Sequence, residues 1–317
     1  MKKIIGFIKV FIFLLAIVLI INILKNDFNS DNFKTLIGKA STLYLFLASF
    51  FVFLGIILKG HRLQIISKQF DITPSFFESI KIQVISITFA MITPGRAGEF
   101  TKIFLLTKED KKKLPLGTVI CIFERLIDVI ILSLSGVFLC LFNFSDFRLT
   151  ILLVLFALGI LSSLFILFRL DFILKKLDKY IPEKIKDYIN DFEKHKNKLS
   201  TKTPLIILYS IFIWYIDALF QWSLLKSVGE TYSTLTVFGI NGINAIMSIL
   251  TILPMGLGTV DLSALYLYKT ILNTPKEIIV FFLASSRFFG MGVLLLMILP
   301  IVIMQKDFIK SLYKKTT

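Results

Sequence analysis

The chain has 317 residues, is 56% hydrophobic and has a mean hydropathy of +0.82. Soluble domains run at about 45–50% apolar, so a water-soluble enzyme or binding module is excluded, and several stretches reach the roughly 20 apolar residues that cross a bilayer. The net charge of +15 does not point to nucleic acid, because the lysines sit in short loops beside apolar segments, as cytoplasmic loops do, and no RNA-recognition, helix-turn-helix or zinc-finger pattern is present.

The first apolar run, about 4–24, follows Lys2 and Lys3. It is too long for a signal-peptide core and no small-residue cleavage site follows, so it is expected to stay as a first span. The polar loop 25–40 then lies outside, and a second span, about 42–58, returns to a cytoplasmic loop with Lys59, Arg62 and Lys68. Next comes an interrupted segment. A helix of about 74–93 meets Pro94, which cannot continue it, and a shorter helix of about 98–106 follows. Lys108, Lys111, Lys112 and Lys113 come after it, so this segment is expected to enter and leave by the cytoplasmic face as a re-entrant hairpin. Spans of about 116–141 and 149–170 follow, joined by a tight outer loop. Cys121 and Cys140 lie on the first of these, roughly 28 Å apart on a helix, too far for a disulfide.

Residues 171–203 carry nine lysines and six acids with apolar residues at helical spacing. They read as a cytoplasmic amphipathic helix or a solvated linker. The second half then repeats the order of parts: a span of about 204–225, a segment broken between 253 and 258, and a span of about 278–304. The flanks of this second break are sparsely charged, which places them outside. The expected fold is therefore an all-α polytopic membrane protein in one domain, 1–317, with about six spanning helices and two broken re-entrant hairpins. Halves of about 41–142 and 204–305 form an inverted repeat. Transporters built this way bind substrate where the broken helices meet.

Both breaks read Pro-x-x-x-Gly with a carboxylate close behind: Pro94 to Gly98 with Glu99, and Pro254 through Gly256 to Gly258 with Asp261. An arginine follows on the next span in each half, Arg125 and Arg287. Arg96, Glu124, Asp128 and Asp217 complete a set of charges in apolar surroundings, where each costs about 2.5–3.5 kcal/mol on insertion scales and so marks a functional candidate. Glu124 and Asp128 share a helix face. Gln221 shares one with Asp217, and Asn241 and Asn244 form a polar stripe toward the second break. Helices restarting after Gly98 and Gly258 would present backbone N–H groups to an anion, and arginine supplies a fork that fits phosphate. Arg96, Arg125 and Arg287 are expected to line the space between the breaks.

At these residues the chain resembles the lysylphosphatidylglycerol synthase transmembrane-domain family, also called flippase-like integral membrane proteins. The resemblance rests on Thr93 to Glu99, on Glu124-Arg125-Leu126-Ile127-Asp128, on Pro254 to Gly258 with Asp261, and on Arg287. It covers roughly 10–305. It implies movement of lipids between leaflets. The family's bifunctional members add a soluble aminoacyl transferase that lysinylates phosphatidylglycerol, and that domain is not expected here. Where the family's second motif usually has Glu, this chain has Thr259 and then Asp261.

The expected function is a plasma-membrane, flippase-like protein with cytoplasmic termini. It would move an anionic or aminoacylated phospholipid, or a polyprenyl-phosphate-linked lipid. No metal motif, phosphate-binding loop or nucleophile elbow appears, so no enzyme activity, metal or other cofactor is expected. Membrane lipids are the expected partners, with a second copy of the chain and a neighbouring lipid-modifying transferase as further candidates. Two other classes stay open. One is an ion- or proton-coupled small-solute transporter of DedA-like type, coupled through Glu99 or Asp261. The other is a membrane enzyme acting on lipid headgroups with Glu124 and Asp128 as acid and base.

Overall fold

The computed structural model describes residues 30–143, positions 151, 154, 157–162 and 165, residues 183–250, Gly256 and residues 258–304; for 183–200 this means the backbone. The expected first span, the turn after Asn143, the greater part of the 149–170 span, the stretch 171–182 and Pro254 lie outside the described residues. Every regular element among the described residues is helical, and the protein is an all-α polytopic membrane protein. Nine helices matter here: α1 Ser30–Lys39, α2 Thr42–Lys68, α3 Phe76–Ile92, α4 Thr101–Leu106, α5 Leu114–Asn143, α6 Glu183–Ser227, α7 Thr234–Leu250, α8 Thr259–Leu272 and α9 Lys276–Met304. Among the described residues, three segments are long and apolar enough to cross a bilayer: Thr42–Lys68, Thr201–Ser227 and Lys276–Ile303. α5 has 30 residues but carries Glu124, Arg125 and Asp128 in its middle.

Three expectations need correction. The loop 25–40 contains α1, whose Asp31 and Lys39 complement the helix dipole at its two ends and whose Leu36 packs on the core. α2 does not stop near Leu58 but runs ten residues further to Lys68, so Lys59, His61 and Arg62 are helical rather than loop residues. The basic stretch before Pro204 is continuous with the span after it, because α6 starts at Glu183 and carries Pro204 inside.

The two long helices α2 and α6 run antiparallel. At one end the Ser41 N–H donates to the Ser227 carbonyl at 2.8 Å, and Tyr44 meets Trp222 edge-on with ring centroids 6.0 Å apart. At the other end His61 Nδ1 and the Tyr209 hydroxyl share a hydrogen bond of 3.0 Å. α5 and α7 also run antiparallel, closely enough that glycine is needed. A Cβ at Gly239 would overlap Leu139, and one at Gly242 would overlap Ser135. Small residues allow such approach between membrane helices, where packing rather than water exclusion holds them together. α9 packs in turn on α2 and α3, with Ile56, Val84 and Leu294 buried between them.

Two helical hairpins complete the described fold. Ser75 caps α3 by accepting from the Glu78 N–H at 3.1 Å. At Pro94 the chain leaves the helix through a tight turn, Pro94–Phe100, in which Gly95 and Arg96 adopt left-handed φ of 56° and 57°. α4 then returns along α3. Gly98 lies so close to Phe89 that a Cβ would overlap that residue's backbone carbonyl carbon. Thr101 Oγ1 donates to Ser86 Oγ at 3.3 Å, and Lys108 Nζ reaches Glu78 at 2.6 Å, closing the base. The second hairpin is closed alike. Ser263 Oγ donates to Asn244 Oδ1 at 2.7 Å, and Tyr232 and Thr274 share a hydroxyl hydrogen bond of 2.8 Å at the base. Burial and a hydrogen bond to Glu230 push the Tyr232 hydroxyl up to about 12, so it stays protonated there. Since α2 leads into the first base and α6 into the second, the antiparallel pair sets the two bases at opposite ends of the bundle.

Candidate functional site

A cavity of about 310 Å³ lies between the hairpin turns. Arg96 of the first turn faces it, as do Gly256 and Val260 of the second. One wall is apolar, built from Val52 and Ile56 of α2, Met91 of α3 and Leu294 of α9. Its polar lining comes from Lys59 of α2, Asp217 and Gln221 of α6, Asn241 and Asn244 of α7, and Arg287 of α9. Among the described residues, three cations thus face one carboxylate. Lys59 also lies 4.6 Å from the centroid of the Trp214 ring, a distance at which the ring face attracts a cation.

The cationic walls are held from behind. Glu99 accepts from Arg96 Nε at 2.8 Å and pairs with Arg125 Nη2 at 3.1 Å. Arg96 is thereby fixed in a backbone conformation that costs a non-glycine residue about 1–2 kcal/mol. In the second half Asp261 does two jobs. Its Oδ1 accepts from Arg287 Nη2 at 2.5 Å, and its Oδ2 accepts from the Gly258 N–H at 3.0 Å, capping α8. Gly258 stands at φ 84°, open to glycine and strained for other residues. Asp261 therefore takes up the same relation to Arg287 that Glu99 has to Arg125. Beside it, Asn241 Nδ2 donates to Asp217 at 2.9 Å, and Gln221 Nε2 donates to Asn241 Oδ1 at 2.5 Å.

Two expectations about the breaks do not hold. The backbone N–H of Gly98 is taken by Thr93 Oγ1 at 2.6 Å and that of Gly258 by Asp261, so neither is free for an anion; short polar side chains nearby satisfy them first. Arg125 does not line the cavity with Arg96 and Arg287. It turns into a narrow crevice between α4 and α5, together with Glu99, Glu124 and Asp128.

Glu124 and Asp128 belong to a buried ionic cluster. Arg62 donates to Asp128 through both Nη atoms, at 2.5 and 2.9 Å, to Glu124 at 2.9 Å and to Ser210 at 2.8 Å. Lys102 binds the other oxygen of Glu124 at 2.7 Å, and Trp214 Nε1 donates to Asp128 at 2.7 Å. Arg62 is 2% exposed, Lys102 and Glu124 3% and Asp128 7%, so the four charges neutralise one another away from solvent. This cluster ties α2, α4, α5 and α6 together. Lys59, Arg62, Lys102 and Trp214 escaped the sequence reading. The first two look like loop residues when α2 is ended at Leu58, and the surviving signal was two carboxylates on one helix face with no assigned cations.

The cavity is thus a cationic pocket with an amide-rich rim and an apolar wall, a combination that fits the headgroup and upper chains of an anionic amphiphile. No curated protein matches the chain. Residues 6–304 match the family model of the lysylphosphatidylglycerol synthase TM region, and the chain belongs to this family of integral membrane proteins related to lipid handling.

Proposed function

We propose that this protein moves a lipid with an anionic headgroup between the leaflets of the plasma membrane through the cavity between its hairpins. The observation that carries the reading is the lining: among the described residues, Lys59, Arg96 and Arg287 face one carboxylate, Asp217, beside an apolar wall. Charges held near a bilayer centre are costly without a partner, and an anionic headgroup supplies one.

The antiparallel run of α2 and α6, which hold equivalent places in the two halves, supports reading the halves as an inverted repeat with re-entrant hairpins. Equal lengths support it too: 17 residues for both α3 and α7. So does cross-packing, in which α7 lies on α5 and α3 on α9. Alternating access by rocking of such halves is the usual working of this architecture. An enzyme reading would need Glu124 and Asp128 as acid and base, and Arg62 and Lys102 hold both.

Transbilayer movement of tail-labelled fluorescent phosphatidylglycerol in proteoliposomes tests the proposal, using an impermeant quencher. Quenching of the inner-leaflet pool is expected to run at least about tenfold faster than in protein-free vesicles, a barrier change near 1.4 kcal/mol. Equal rates with correctly inserted protein would refute lipid movement.

A further inference from the structure

Resting on that proposed function, we infer that Trp214 is a positioning residue: its ring face holds the Lys59 ammonium ready for the lipid's anionic group, and Asp128 of the buried cluster holds the ring.

Lys59 is the cavity cation that no carboxylate grips. Arg96 is held by Glu99 and Arg287 by Asp261. Lys59 makes no hydrogen bond or salt bridge among the described residues. Its stem is a flexible chain of four carbons, and such a charge snorkels toward water unless something retains it. The backbone beside it is fixed. At Gly60 a Cβ would overlap the Ile80 backbone, so α2 lies tight against α3 there and its rotation is set. Lys59 then faces the cavity, with its Nζ 4.6 Å from the centroid of the Trp214 ring. Indole is the aromatic ring that attracts a cation most strongly.

The ring is held in turn. Trp214 is 5% exposed, and its Nε1 donates to Asp128 Oδ1 at 2.7 Å. Asp128 is itself clamped, because Arg62 donates to both of its oxygens. A turn of helix separates Lys59 from Arg62 on α2, and Ser210 from Trp214 on α6. The two helices therefore meet in two successive pairs: Arg62 with Ser210 at 2.8 Å, and Lys59 with Trp214. A carboxylate at the indole N–H also pushes electron density into the ring, which strengthens its hold on a cation at the face. Among the described residues, Trp214 is the one that both lines the cavity and bonds a member of the buried cluster. The cluster thus does more than join helices. It orients the aromatic platform on which the cavity's free ammonium rests.

Three readouts test this. The chain has two tryptophans, so in a Trp222→Phe background Trp214 alone emits. Lys59→Met removes a charge 4.6 Å from the ring centre and is expected to move the Trp214 emission, because a charge at that range in a low-dielectric site acts strongly on the indole. An unmoved spectrum overturns the contact, and this readout needs no change at Trp214 itself. In detergent, Trp214→Leu is expected to lower the thermal midpoint less in a Lys59→Met background than in the parent, since no cation is then left to hold. Additive losses overturn the inference.

The third readout is movement of tail-labelled phosphatidylglycerol against its mole fraction in proteoliposomes. Trp214→Leu is expected to raise the half-saturating fraction about fivefold with little change in the maximal rate. Trp214→Phe keeps a ring but loses the tie to Asp128, and is expected to fall between. Neither change is expected to add to the effect of Lys59→Met. A lower maximal rate at an unchanged half-saturating fraction overturns the positioning role. If the parent moves no lipid, the proposed function falls, while the emission and the midpoints still decide whether Trp214 holds Lys59.

Discussion

Asp261 and Arg287 meet at 2.5 Å across 26 residues of chain, and Glu99 and Arg125 meet at 3.1 Å across the same separation. At both breaks, the carboxylate just after the break binds an arginine of the following long helix. Asp261 additionally caps α8 through the Gly258 N–H, so the shorter acid serves both helix and arginine. Asp261→Asn keeps the shape and removes the charge. It is expected to lower stability by on the order of 1–2 kcal/mol, from a weakened cap and a partly exposed ion pair. Thermal unfolding in detergent measures this, and an unchanged midpoint would contradict the shared role.

Arg62 is the most consequential residue that the sequence hid. Replacing it with Met leaves Glu124 and Asp128 buried with Lys102 alone, and breaking such a pair costs on the order of 3–5 kcal/mol. Arg62→Lys is expected to recover a minor part, because an ammonium cannot donate to both Asp128 oxygens in the plane that a guanidinium uses. Adding Asp128→Asn to Arg62→Met should restore stability, since the unpaired charge disappears. The thermal midpoints of the three variants decide this; no rescue in the double variant would contradict a charge-based role.

Gly98 sets how tightly the first hairpin closes. A methyl group there would overlap the Phe89 backbone, so Gly98→Ala is expected to destabilise by about 1–3 kcal/mol as α4 is pushed off α3. Gly290 has nothing within 4 Å of its would-be Cβ, and Gly290→Ala should stay within about 0.5 kcal/mol of the parent. Equal effects of the two changes would contradict the assigned packing.

Opposed hairpin bases make a topological prediction. In a background with Cys121 and Cys140 replaced by Ala, a single cysteine at Lys108 and one at Thr274 should label from opposite sides of the membrane. An impermeant maleimide on intact and permeabilised cells reads this. Labelling of both from one side would contradict the inversion.

Much of this architecture was legible in the sequence because proline, glycine and charge are unusual inside apolar runs. Pro94 was enough to predict a break in the helix, and the chain does turn there, with α4 packed back on α3. The spacing from each break to Arg125 and Arg287 was visible as well. What escaped follows from where apolar sequence stops being a guide to helix length. α2 continues through Lys59 and Arg62 because carboxylates and an aromatic ring on other helices satisfy those cations, and no local pattern encodes such partners. The free N–H groups expected at the breaks failed for a local reason: Thr93 and Asp261 sit within hydrogen-bond reach of the backbone they cap. Arg125 was placed correctly on its helix but not on its face, since Glu99 draws it away from the cavity.

The proposed function makes the cavity between the hairpins the path of the lipid. Gly290 lines that cavity with open space beside it, so Gly290→Leu fills it while leaving the fold in place. Transbilayer movement of labelled phosphatidylglycerol by this variant is the most direct measurement. The expected rate is at least about tenfold below the parent with an unchanged thermal midpoint. A parental rate in a correctly folded Gly290→Leu protein would contradict it.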